Sequence, residues 1–189
     1  MVYSNGVIRH SGVLAVGGDH LSNDLAYGLK VPLSRAEKLK VEYGAAIIND
    51  AVKGQTISLT NELGLELKRI NHEHLQRIMA LRLEEVFELI AHDLEHAGLT
   101  DYLRSGVMLC GGGSRVPGVV KLAENVFQMN VTAGHSCAIS GLTAALDQPE
   151  FATAIGLVKF GSLKNRRREG RSFLPRSLKD AFGKLLHRP

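Results

Sequence analysis

Hydrophobic and polar positions alternate in two rhythms along this chain, and the changes of rhythm mark its elements. Met1-Val2-Tyr3 and the run from Val7 to Val16 are β-prone, and Ser4-Asn5-Gly6 stands between them. An Asn-Gly pair flanked by such runs predicts a hairpin. Its first strand is short enough to look as though it starts abruptly. Gly17-Gly18-Asp19-His20 then breaks the strand pattern, and Leu21, Leu25, Ala26 and Leu29 fall on one helical face with Asp19 or Ser22 as cap. Ser34 to Gly44 reads as a short helix with the Ser34…Glu37 spacing of a capping box and Gly44 as terminator.

Alternation returns in Thr56-Ile57-Ser58-Leu59 and Glu66-Leu67-Lys68-Arg69-Ile70, which suggests a small sheet-containing lobe. A long helix follows from Asn71 as N-cap to Ala97, with Leu75, Ile78, Met79, Val86, Leu89, Ile90 and Leu94 three and four apart and Gly98 at C′. Val107-Met108-Leu109 feeds a glycine-rich turn, Gly111-Gly112-Gly113-Ser114-Arg115-Val116-Pro117-Gly118, and a helix through Val119, Leu122, Ala123 and Phe127 comes after it. Then come a short strand near Asn130-Val131-Thr132 and a small-residue helix over Pro149 to Val158.

Composition bounds the class. With 189 residues, 44% of them hydrophobic, the chain has room for one globular domain, or one domain with a small inserted lobe. The net charge of +4 is unevenly spread: ten of the 23 Lys and Arg lie from Lys159 onward with only two acidic residues, leaving thirteen against seventeen before it. The body is therefore mildly acidic, and the basic tail suits a polyanionic partner. Cys110 and Cys137 have neither disulfide-framework nor zinc-knuckle spacing, which fits a reducing compartment. No apolar run reaches the roughly eighteen residues of a membrane span, so the expected membrane contact is peripheral.

The tail divides in two. Lys164 to Arg171 reads as a basic linker without apolar periodicity. Beyond it, Pro175 can open a helix with Leu174, Leu178, Phe182, Leu185 and Leu186 on one face and Arg176, Lys179 and Lys184 around the other. A tethered basic amphipathic helix is the pattern of an interfacial membrane anchor, with docking on a partner protein as the alternative. An apolar face has no use on nucleic acid, which is not expected as a partner.

Three consecutive glycines between strand and helix let backbone amides approach a ligand closely, or simply make a tight turn. Gly17-Gly18 presents the same choice. Glu37 and Lys40, three apart on one helix face, are by themselves an exposed ion pair. His92-Asp93-Leu94-Glu95-His96 matches an inverted zincin string, but two histidines in a last helical turn need no metal and no third ligand is evident. Gly134-His135-Ser136-Cys137-Ala138 departs from a nucleophile elbow at Ala138 and reads as a loop. No catalytic residue is assigned.

Taken together and in order, Gly17 to Ala26, Ala36-Glu37-Lys38-Leu39-Lys40 with Tyr43-Gly44, Gly111 to Gly118, Gly141-Leu142 and Pro149 to Gly156 resemble the C-terminal half of the bacterial cell-division FtsA family, within the actin and heat-shock-chaperone ATPase superfamily. The resemblance covers residues 1 to about 161. It implies an α/β, actin-like (ribonuclease H-like) second lobe: a core of residues 1–30 and 75–161, a small inserted α+β subdomain at 31–74, a linker at 162–173 and a membrane-targeting helix at 174–187.

The resemblance also implies ATP as cofactor. Gly111, Gly112 and Gly113 would form the adenosine turn, with Ser114, Arg115 and Val116 beside the base, Glu37 and Lys40 toward ribose and purine, and Gly17 and Gly18 near the phosphates. Arg115 stands where many members of the family look apolar and is similar to the arginine that chaperone ATPases lay against adenine; a guanidinium can stack there. The second phosphate loop, of Asp-x-Gly-Gly-Gly-Thr type, would precede Met1. The chain thus resembles an N-terminally truncated member, with Mg²⁺ expected only when the other half is present and no hydrolysis by this chain alone. The implied partners are the ring protein FtsZ, further copies of the chain and an anionic membrane surface. The implied place is the inner face of the cytoplasmic membrane at the division site. A half of a split actin-like ATPase, MreB-like or from pilus assembly, is the alternative.

Overall fold

The computed structural model describes residues 1–61, 63–103, 105–134 and 148–171, with side chains as far as residue 166. Gly141-Leu142, the loop residues after Gly134 and the tail positions Leu174, Arg176, Leu178, Lys179, Phe182, Lys184, Leu185 and Leu186 lie outside the described residues.

The chain opens with an antiparallel hairpin, β1 (Val2–Ser4) and β2 (Val7–His10). Asn5 and Gly6 both take positive φ, at 52° and 76°, as a two-residue hairpin turn requires. β2 stops at His10, opposite Val2, rather than running to Val16. His10 Nε2 instead meets Asp93 at 2.8 Å, pinning the strand end to a distant helix.

α1 (Gly18–Leu29) starts behind Gly17, so Asp19 and Ser22 lie inside the helix and do not cap it. The Gly17 N–H donates to His20 Nδ1 at 3.1 Å, and the His20 N–H returns to the Gly17 carbonyl. α2 (Leu33–Tyr43) begins behind Pro32, whose carbonyl accepts from Arg35 and Ala36. The Ser34–Glu37 capping box does not form, because Ser34 is already helical and Glu37 turns toward α1. Gly44 ends α2 at an ordinary φ of −73°. Glycine serves there for close approach: an added Cβ would run into the Lys40 carbonyl and come within 2.5 Å of Met79 Sδ.

β3 (Thr56–Thr60) and β4 (Glu66–Asn71) form a second antiparallel hairpin with Ile57 opposite Ile70. α3 (His72–His96) follows as expected, the Asn71 side chain accepting from the His74 N–H at 3.0 Å and Gly98 at φ 64° beyond its end. β5 (Val107–Leu109) pairs in parallel with β6 (Val131–Ala133), and α4 (Val119–Phe127) forms the crossover between them. α5 (Ala152–Arg171) is continuous helix, so residues 164–171, expected as linker, extend it.

Two clusters hold these elements. Leu21, Leu25 and Leu29 of α1 pack with Ala36 and Leu39 of α2, with Ile57, Leu59 and Ile70 of the second hairpin, and with Leu75 and Met79 of α3. Ala46, Phe87, Val119, Leu122, Ala123, Phe127 and Val131 form the other. Leu83 and Val116 pack against both. Arg82 ties α3 to α1 through two hydrogen bonds to Asp24, at 2.5 and 3.0 Å.

Candidate functional site

The predicted site residues fall into two hydrogen-bonded groups. In the first, Lys40 Nζ donates to the Gly18 carbonyl at 3.1 Å, to Ser22 Oγ at 2.9 Å and to Glu37 Oε2 at 2.6 Å. Its three ammonium donors meet three acceptors. Ser22, itself buried, lies 2.5 Å from the same Glu37 oxygen. Glu37 and Lys40 are therefore more than a surface pair, since they fasten the start of α1 to α2. The signal missed in the sequence is Ser22, fifteen residues before Glu37.

The Lys40 ammonium, and then the Ser22 hydroxyl, hold the Glu37 carboxyl below the usual carboxylate range. A depressed folded pKa means that the stabilisation is present above the unfolded value, about 4.3, and is lost as pH falls through the lower folded one. The NMR titration midpoint of the Glu37 carboxyl is expected below that of a model peptide and is expected to rise toward it in Lys40→Met. A midpoint that Lys40→Met leaves in place would refute the link.

The second group surrounds the glycine turn. Gly111, at φ 91°, donates its N–H to the Pro149 carbonyl at 2.9 Å, and its own carbonyl accepts from Ser114 Oγ at 2.7 Å. Residues Gly112–Arg115 make a 3-10 turn, not the first turn of a long helix. Arg115 is exposed and reaches Glu150 Oε1 at 2.6 Å, so its guanidinium is anchored on one side. Glu150, 35 residues away, is the second partner that sequence reasoning missed. Its carboxyl is lowered by a backbone hydrogen bond and then by Arg115.

Gly112 and Gly113 have no positive φ, and an added Cβ at either would meet nothing within 4 Å among the described residues. Nothing among the described residues demands glycine at these two positions, which leaves room over the turn for a ligand to approach. Val116 connects the two groups by packing on the cluster that contains Ala36 and Leu39. Gly17 and Gly18 are exposed at the start of α1, but the Gly17 amide is already taken by His20. Among the described residues no group of three or more metal-ligating side chains could hold a metal ion, and His92 and His96 contact each other, with Nε2 atoms 3.2 Å apart. No described helix is long and apolar enough to cross a membrane.

This arrangement has the architecture of an actin-like protein. It is similar to MreB 5 of Spiroplasma citri bound to AMPPNP, with a TM-score of 0.64 at 20% identity over 88% of this chain and 50% of that one. The ADP-bound MreB 5 gives 0.63 at 18% identity, over 82% of this chain and 47% of that one. The chain belongs to the cell division protein FtsA family, whose model matches residues 1–156. FtsA of Pseudomonas aeruginosa is 32% identical over 163 residues, 86% of this chain and 39% of the relative. FtsA of Neisseria meningitidis is 33% identical over 83% of this chain and 38% of the relative, and FtsA of Escherichia coli K12 is 28% identical over 85% and 40%. The chain thus spans about two fifths of the length of these relatives, in their C-terminal part.

Proposed function

We propose that this chain is an FtsA-type division component that carries the adenosine side of an actin-like nucleotide cleft and tethers FtsZ to the inner face of the cytoplasmic membrane. The observation that carries the nucleotide half is the pair Gly112 and Gly113, where no described residue comes within 4 Å of an added Cβ. The residues present suit an adenosine nucleotide. Glu37 Oε1 has no partner among the described residues and can accept from ribose hydroxyls. Lys40 acts by holding Glu37 and the Gly18 end of α1 in place. Arg115, fixed by Glu150, presents a guanidinium plane that can stack on a purine. ATP would supply the phosphoryl chemistry when bound, with Mg²⁺ expected only where the other half of the cleft is present.

The tail supports the membrane half. One amphipathic helix binds reversibly, and self-association of the chain would multiply weak anchors by avidity. Pelleting with anionic vesicles tests this reading: FtsZ is expected in the pellet only when the chain is present, and Phe182→Glu is expected to leave both in the supernatant. FtsZ that stays in the supernatant with the unaltered chain would overturn it. The second reading, a split actin-like ATPase of MreB or pilus-assembly type, is favoured by the apolar surface left on β1 and β2 at Tyr3, Val7 and Ile8 and on α5 at Leu157, Val158 and Phe160. Phosphate release on mixing with a separate N-terminal half, above that of either part, would favour it.

A further inference from the structure

The C-terminal half of α3 and the end of α4 enclose a groove of about 800 Å³ that neither reading uses. Glu84, Glu88 and Glu95 line it from one face of α3, and Asp101 closes its end. All four are exposed, and none is paired with a cation among the described residues. Glu84 and Glu88 are four apart on the helix, where like charges repel. Between the carboxylates the floor is apolar, made by Leu94, Phe127 and Met129. An acidic rim over an apolar floor calls for an occupant that is both basic and apolar.

We propose that this groove docks the chain's own C-terminal segment, residues 172–189. That segment holds Arg176, Lys179, Lys184 and Arg188 against one acid, Asp180, and its leucines and Phe182 recur at helical spacing. Four cations face four carboxylates, and the apolar stripe faces the apolar floor. An anionic lipid surface offers the same pairing of negative charge with an apolar layer. Groove and membrane therefore compete for one segment, and the groove holds the tail wherever no such surface is near. The inference rests on the tail's sequence and the groove's geometry; it does not depend on the tether function.

The test uses the full chain without lipid. Zero-length carbodiimide coupling joins a lysine amine to a carboxylate in contact with it, and peptide mapping is expected to find Lys179 or Lys184 linked to Glu84, Glu88, Glu95 or Asp101. Because the chain has no tryptophan, Phe182→Trp supplies a single reporter. Its emission is expected to be blue-shifted and to move to that of free indole when Glu88→Lys and Glu95→Lys are added. Both glutamates are exposed, so the reversals leave the core intact, which far-ultraviolet circular dichroism checks. Tail lysines linked only to carboxylates outside the groove, or an emission that ignores the reversals, would each overturn the proposal. Vesicle pelleting by the same variants reports on the membrane reading separately, because the reversals leave the tail unchanged.

Discussion

Replacing Leu75 with alanine is expected to lower the free energy of unfolding by about 2–5 kcal/mol. Its side chain is wholly buried at the first turn of α3. It joins the cluster in which the leucines of α1, Ala36 and Leu39 of α2, and the inward residues of β3 and β4 come together. These neighbours sit on four separate elements that are fixed by their own hydrogen bonds, so they cannot all move inward, and most of the vacated volume stays as a cavity. A domain of ordinary stability has about 5–15 kcal/mol in total, so this one change removes a large part of it. Urea unfolding measures the loss. Leu81→Ala on the same helix, 61% exposed, is expected to change stability by no more than about 0.5 kcal/mol. Equal midpoints for the two variants would mean that this cluster is not the core.

The second large effect is expected at Gly106, where alanine should cost about 2–4 kcal/mol. Two causes add. The backbone is left-handed there, at φ 84°, and an added Cβ would overlap the Asn130 carbonyl oxygen and lie 3.1 Å from its carbon. That same oxygen accepts the Val107 N–H at 2.9 Å, beside the first paired residues of β5 and β6. The new methyl group therefore pushes against the bond that brings the two strands into register. Gly54→Ala separates the causes: its φ is 74° but no described residue lies within 4 Å of an added Cβ, so only the left-handed penalty of about 1–2 kcal/mol applies. Matching losses at Gly54 and Gly106 would show that the contact with Asn130 contributes nothing.

What could be read from the sequence was local. Asn5-Gly6 specifies its turn by needing two positive φ values, and Asn71 and Gly98 bracket α3 by the backbone groups they satisfy or free. Periodicity placed the buried face of α1 and the first turns of α3, at Leu75 and Met79, because burial follows the helical repeat; farther along α3 the buried residue is Phe87, and Leu89, expected inward, is exposed. The misses were pairings between distant residues. Glu37 has a cap position three residues away, yet it bonds Ser22 and Lys40 once α1 and α2 lie side by side. His10 with Asp93 and Arg115 with Glu150 are 83 and 35 residues apart, and no local pattern marks them. The basic run to Arg171 lacked an apolar stripe, but it continues a helix already begun at Ala152, and propagation needs no fresh nucleus.

The 25 residues of α3 run about 37 Å and belong to both clusters, with Leu75 and Met79 in one and Phe87 in the other. Neither cluster can open without stripping one stretch of this helix of its cover while the other stretch stays packed. The two halves of the molecule should therefore loosen together, and the backbone amides around Leu83, the α3 residue that touches both clusters, should be the last to trade their protons for deuterium. A slow-exchanging centre on α3 between two faster hairpins would make this helix the axis about which the protein keeps its shape.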